Sequence, residues 1–163
     1  RGSRVLDASE AAPSRSHSWV TLLRDEHQRM DWMLSLYRQQ AGIGLDPQER
    51  KRLIERIDRR LRALVVIKQT ILYPLLEDRI SNHTLATLKC DHNILHERLV
   101  AISQLEPDTL AMDNHMDELA LHVRAHIDSE ERRVFPVAQA LDSPLIGQRG
   151  AHLREELLNV SHA

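Results

Sequence analysis

His122-Val123-Arg124-Ala125-His126-Ile127-Asp128-Ser129-Glu130-Glu131-Arg132-Arg133-Val134-Phe135-Pro136 is the stretch that decides how the rest of this 163-residue chain is read. His122, His126 and Glu130 recur every four residues, so on an α-helix they stack a turn apart on one face. Upstream, the same face carries Met112 and Leu119, which marks it as the inward one. Imidazoles and a carboxylate on an inward stripe are what helical bundles use to hold metal ions. Two hydrogen-bonded core histidines beside a surface glutamate produce the same spacing, so other segments have to decide.

Working outward from that helix, the apolar periodicity predicts three more of similar length. Pro107-Asp108 opens the turn into it, and its full stripe is Met112, His115, Leu119, His122, His126, Glu130, Val134, Val137. The helix before it starts at a Ser81 or Asn82 cap, with stripe Leu85, Leu88, His92, Leu95, Leu99, Ile102. Asp46-Pro47 is a cap followed by a first-turn proline, and the stripe behind it reads Leu53, Ile57, Leu61, Leu64, Lys68, Ile71, Leu75. The first helix begins near Ser16 or Ser18, runs through Trp19, Leu23, His27, Met30, Leu34 and Tyr37, and stops at Gly42 and Gly44. Ser143-Pro144 and Gly147 precede a short last helix around residues 148–159. Four long amphipathic helices with short loops predict an all-α, up-down-up-down four-helix bundle over residues 16–163, capped by the short C-terminal helix. Residues 1–15 read as a disordered arm, with Arg1-Gly2-Ser3 resembling a cloning remnant.

Leu72-Tyr73-Pro74 and Val134-Phe135-Pro136 give the second and fourth helices the same aromatic-proline ending. Both prolines should kink or end their helices. Counting back from each aligns Leu64 with His126 and Lys68 with Glu130, as in a two-helix repeat whose second copy kept its polar pair.

Composition narrows the function classes. Hydrophobic residues at 42% and charged residues at 28% suit a globular core. A formal net charge of -2 argues against a general nucleic-acid binder. No apolar run approaches the roughly 18 residues of a membrane span. The single cysteine, Cys90, excludes an internal disulfide framework and suits a reducing cytoplasm, which is the expected location. No nucleophile motif, phosphate loop or dinucleotide fingerprint appears.

His27, Lys68, His92, His122, His126 and Glu130 all fall on inward stripes, and His96 follows His92 by one turn. That many polar groups at matched depth are costly unless they satisfy one another or bind an ion. Lysine is scarce here, with only Lys51, Lys68 and Lys89, so its place on a core stripe reads as a specific choice. Glu131 is expected to face solvent, and the basic run 49–62, interleaved with Glu55 and Asp58, reads as a solvated helix face.

The pattern resembles the hemerythrin-like (HHE cation-binding) domains, a resemblance covering most of the chain from Asp25-Glu26-His27 to Phe135-Pro136. In that family the first helix gives a histidine, the third gives a histidine, and the second and fourth each give HxxxE followed six residues later by proline. His27, His92 and the pair His126/Glu130 with Pro136 match residue by residue, and His92/His96 is similar to an HxxxH of true hemerythrins. The resemblance implies two iron ions bridged by two carboxylates, in proteins that carry or sense oxygen, respond to nitric oxide, or support iron-sulfur repair.

The departure lies on the second helix, where Leu64 and Lys68 stand at the HxxxE positions. An ammonium in place of a carboxylate changes the local charge by two units. Each unit at ~4 Å is worth on the order of 4 kcal/mol at an effective dielectric near 20. A di-iron centre and reversible oxygen carriage are therefore not expected. Two outcomes stay open. One iron or zinc ion persists on His92, His126 and Glu130, with His96, His122 or His27 completing the shell. Alternatively, Lys68 replaces the metal by pairing with Glu130. The first implies a bacterial-type metal-binding protein in sensing or stress response, or a mono-iron enzyme of oxygen or peroxide chemistry. The second implies a metal-free scaffold for a protein partner or a second copy.

Overall fold

The computed structural model describes residues 18–44, 46–141 and 147–163. The arm expected at residues 1–15 and the Ser143-Pro144 breaker lie outside the described residues. Helix α1 spans Trp19–Ala41, α2 Pro47–Ile67, α3 Tyr73–Leu76, α4 Asn82–Ser103, α5 Leu110–Arg133, α6 Phe135–Leu141 and α7 Gly147–His162. Among the described residues there is no strand. The starts follow local chemistry. Side chains of Asp46, Ser81 and Thr109 accept from the backbone N–H groups of Gln48, Thr84 and Met112, satisfying donors that the first helical turn leaves unpaired. Gly44, at φ +69°, makes the reversal after α1, a conformation open to glycine without steric cost.

Helices α1, α2, α4 and α5 close a ring of neighbours: α1 packs on α2 and α5, and α4 packs on α5 and α2. Cross-helix bonds fix the directions. On α1 and α5, His27 meets Glu131 and Tyr37 meets Asp113, so the two run antiparallel. The Arg50–Asp108 and Lys68–Glu130 pairs make α2 and α5 a parallel diagonal. This is the up-down-up-down bundle expected from the periodicity. The expected stripes of α1 and α4 are buried throughout.

Two stripes differ from expectation by one position, each for a physical reason. On α5 the buried set is Met112, Met116, Leu119, Val123, His126 and Glu130, so Met116 and Val123 displace His115 and His122. Alternating steps of four and three track 3.6 residues per turn, and a methyl-rich side chain costs less to bury than an imidazole. After α2 the chain widens into a π-helical turn over Lys68–Leu72, where the Tyr73 N–H returns to the Lys68 carbonyl, five residues back. That turn takes in one extra residue just ahead of Pro74, which has no N–H to give to the ladder. The core residues beyond it are consequently Leu72, Tyr73 and Leu76, with Ile71 and Leu75 only half-buried. The matching proline in the second half acts differently: α5 ends at Arg133, Val134 makes a turn, and α6 starts anew at Phe135.

Helix α7 lies across α1 and α2, burying Leu153 and Leu157. A buried ion pair secures it. Arg60 Nε donates to Glu26 Oε2 at 2.8 Å, and its Nη2 donates to the Val160 carbonyl at 3.0 Å. Arg29 donates to Ser161 Oγ at 2.6 Å. Guanidinium groups thereby meet carbonyls of the last turn of α7, which carries the negative end of the helix dipole.

Candidate metal centre

Four of the five polar groups that the stripes bring to mid-bundle gather around the fifth, the carboxylate of Glu130. Glu130 is fully buried, and its two oxygens face different neighbours. On the Oε1 side, Lys68 Nζ lies 2.7 Å away as an ion pair, its approach too oblique for an aligned hydrogen bond. Lys68 Nζ is also 3.0 Å from His27 Nε2, which is itself 3.2 Å from Glu130 Oε1. His27 Nδ1 lies 3.1 Å from Glu131 Oε1. When Nδ1–H donates to that carboxylate, the Nε2 lone pair is left for the ammonium. Glu131, though partly exposed, therefore orients a core histidine. The ammonium sits between an imidazole nitrogen and a carboxylate oxygen, as a metal ion would.

On the Oε2 side are His126 Nε2 at 3.2 Å and the Tyr73 hydroxyl, which donates at 2.7 Å. His92 Nε2 lies 3.1 Å from His126 Nε2 and 3.3 Å from the Tyr73 oxygen. His126 Nδ1 is 3.1 Å from Asp91 Oδ2, an outer carboxylate of the kind that fixes a ligating histidine's tautomer and ring orientation. His92, His126 and Glu130 offer donor atoms that all lie within 4.8 Å of one another, and among the described residues they are the one such trio.

Electrostatics follow from burial and the two cationic or polar faces. Burial alone pushes the Glu130 carboxyl up. The Lys68 ammonium first, and then the two histidines facing its oxygens, outweigh it and hold the group well below the usual carboxylate range. His92 is pushed down to about 3 by burial, then by His126 and Lys68, so its imidazole is neutral with a lone pair to give. Burial and the Glu130 charge raise the Tyr73 phenol.

The residues present suit one ion on the Oε2 side. Atoms bound about 2.0–2.2 Å from a common ion lie roughly 2.8–3.6 Å apart, from octahedral to tetrahedral angles, and the His92–His126 and His126–Glu130 separations of 3.1 and 3.2 Å fall in that range. His92 Nδ1 is buried without a partner. It is therefore Nε2 alone that His92 turns toward a partner, facing His126 and Tyr73. The Oε1 side suits no second ion, because Lys68 fills it. Leu64 instead borders a cavity of about 20 Å³ beside Lys68, His92 and His126, space for roughly one water.

Of the residues expected at the site from sequence, His27, Lys68, His92, His126 and Glu130 come together. His96 does not: it is exposed, with Nδ1 3.2 Å from Arg62. His122 is half-buried, to one side of the stripe that Val123 and His126 occupy. Tyr73 is not among the residues expected from sequence, and Glu131, expected to face solvent, reaches His27 while staying partly exposed. The signal for Tyr73 was present in its aromatic-proline match to Phe135. In the structure Phe135 stacks on His27 and Tyr73 on His92, each pair with ring centroids 5.5 Å apart.

No helix among the described residues is long and apolar enough to cross a membrane. No curated protein and no solved structure matches the chain. A family model, the hemerythrin HHE cation binding domain, matches residues 19–138, from the first residue of α1 through the bundle to α6. The chain belongs to the hemerythrin HHE cation-binding domain family.

Proposed function

We propose that this protein binds a single iron or zinc ion through His92, His126 and Glu130, and serves in sensing or stress response rather than oxygen transport. The observation that carries this reading is the division of Glu130, with an ammonium at Oε1 and two imidazoles gathered near Oε2. Lys68 supplies in place a positive charge that a second ion would otherwise bring. His27 is then a partner of that ammonium, not a ligand. Asp91 orients His126, and Glu131 orients His27. An ion at the Oε2 side would supply Lewis acidity and, if iron, redox chemistry. The adjoining cavity of about 20 Å³ admits nothing much larger than a water-sized molecule, which favours sensing a small ligand over turnover of a bulky substrate.

Elemental analysis of protein purified without chelator tests the reading. We expect about one metal per chain in the wild type and loss of that metal in His126→Ala. A value of zero in both would leave the Lys68–Glu130 pair as a metal-free core, in a scaffold that acts through its outer faces.

A further inference from the structure

The second helix delivers a group that the HxxxE pattern does not contain. In an uninterrupted α-helix, residues 68 and 73 would point about 140° apart, at roughly 100° per residue. The π-helical turn over Lys68–Leu72 brings them onto nearly one face, so one helix sends an ammonium to Glu130 Oε1 and a phenol to Glu130 Oε2. Tyr73 is 1% exposed.

Four donor atoms then close a ring on the Oε2 side. Its edges are Tyr73 to Glu130 at 2.7 Å, Glu130 to His126 at 3.2 Å, His126 to His92 at 3.1 Å, and His92 to Tyr73 at 3.3 Å. Hydrogen bonding alone serves this ring poorly. With Glu130 ionised and His126 Nδ1–H on Asp91, only the Tyr73 O–H and one His92 N–H are left for four edges. The Glu130–His126 edge then sets acceptor against acceptor, and one further edge has no proton to fill it. A cation inside the ring satisfies all four atoms at once.

We propose that the Tyr73 oxygen is the fourth donor of the centre, and that the resulting set of two imidazoles, a carboxylate and a phenolate is built for iron(III). This deepens the single-ion reading above and rests on it. Two anionic oxygen donors favour a hard trivalent ion over zinc. On binding, the Tyr73 O–H bond breaks, the oxygen's electron pair goes to the ion, and the proton leaves to solvent. No electron is transferred.

The test loads the metal-depleted chain with excess iron(III) nitrilotriacetate and, in parallel, with zinc chloride; each sample is desalted and assayed for bound metal and visible absorption. The chain has two tyrosines, and Tyr37 is bonded to Asp113 elsewhere, so a phenolate-to-iron charge-transfer band has one source in the bundle. We expect iron near one per chain with such a band. Tyr73→Phe should lose the band at least tenfold and weaken iron binding at least tenfold, while Tyr37→Phe keeps both. Phenylalanine keeps the ring that stacks on His92 and removes only the hydroxyl, and circular dichroism checks the fold of the variant. If Tyr73→Phe does not fold, resonance Raman of the wild type, excited in the band, must show phenolate ring modes. Iron bound without the band, a band that survives in Tyr73→Phe, or uptake of zinc but not iron(III) overturns Tyr73 as the donor for iron(III) and leaves the single-ion reading intact. Uptake of neither metal overturns both.

Discussion

The two faces of Glu130 come from matching parts of the two helix pairs, and they have diverged. Each face has an inward histidine, His27 from α1 or His92 from α4, stacked on an aromatic that precedes a proline, Phe135 or Tyr73. On the Oε1 face the histidine meets an ammonium; on the Oε2 face it meets a second imidazole and a phenol. On the proposed single-ion reading, the difference is the replacement of a second ion by a side chain. A lysine stem reaches in, and its charge keeps the shared carboxylate ionised, so the other half of the site retains its anionic ligand. The cost of burying that charge is offset only while Glu130 answers it.

Breaking the shared carboxylate should have the largest effect. In Glu130→Gln the Lys68 ammonium is left buried without a counter-charge, and we expect a loss of about 3–5 kcal/mol in denaturant unfolding together with loss of metal. The double variant Lys68→Met, Glu130→Leu should recover most of that stability and still bind no metal. If Glu130→Gln unfolds like wild type, the ammonium is not paired as described.

Acid should separate the faces next. In metal-free protein, His92 is held neutral down to about pH 3, against an unfolded value near 6.5. A folded pKa below the unfolded one means that the unfolded chain takes up the proton first. The stability His92 contributes is thus fully present above about pH 6.5 and lost as pH falls below it. The expected slope is up to about 1.4 kcal/mol per pH unit from this one group. The depressed Glu130 acts in the same direction at lower pH. Unfolding midpoints measured between pH 7 and pH 4 check this, and His92→Phe should flatten the profile.

Much of the centre was legible because helical periodicity places side chains without any tertiary knowledge. His27, Lys68, His92, His126 and Glu130 all sat on stripes at the right depth, and the caps at Asp46 and Ser81 fixed the register. Tyr73 was hidden by the assumption of 3.6 residues per turn, which fails across the π-helical turn at Lys68–Leu72. His122 was misplaced for a related reason, since a strict four-residue spacing drifts off the stripe that Val123 holds. Glu131 and the Glu26–Arg60 pair depend on which helices lie side by side, and a one-dimensional pattern does not carry that.

Smaller perturbations sharpen the assignment of the Oε2 face. Asp91→Asn removes the carboxylate behind His126 Nδ1 and should weaken metal binding about 10–100-fold in a competition titration, with little change in fold. His96→Ala should change neither metal content nor unfolding by more than about 0.5 kcal/mol, since that side chain is exposed on α4. A tenfold loss of metal in His96→Ala would move the site toward α4's outer face.

Counting ions tests the division of Glu130 most directly. Metal-depleted wild type and Lys68→Glu are titrated side by side with iron(II) under anaerobic conditions, and the endpoint per chain is read from each. We expect wild type to saturate at one equivalent, and Lys68→Glu, with the ammonium gone and a second carboxylate in its place, to exceed one. A wild-type endpoint of two equivalents would mean that Lys68 swings away and leaves room for a pair of ions, which contradicts the central claim.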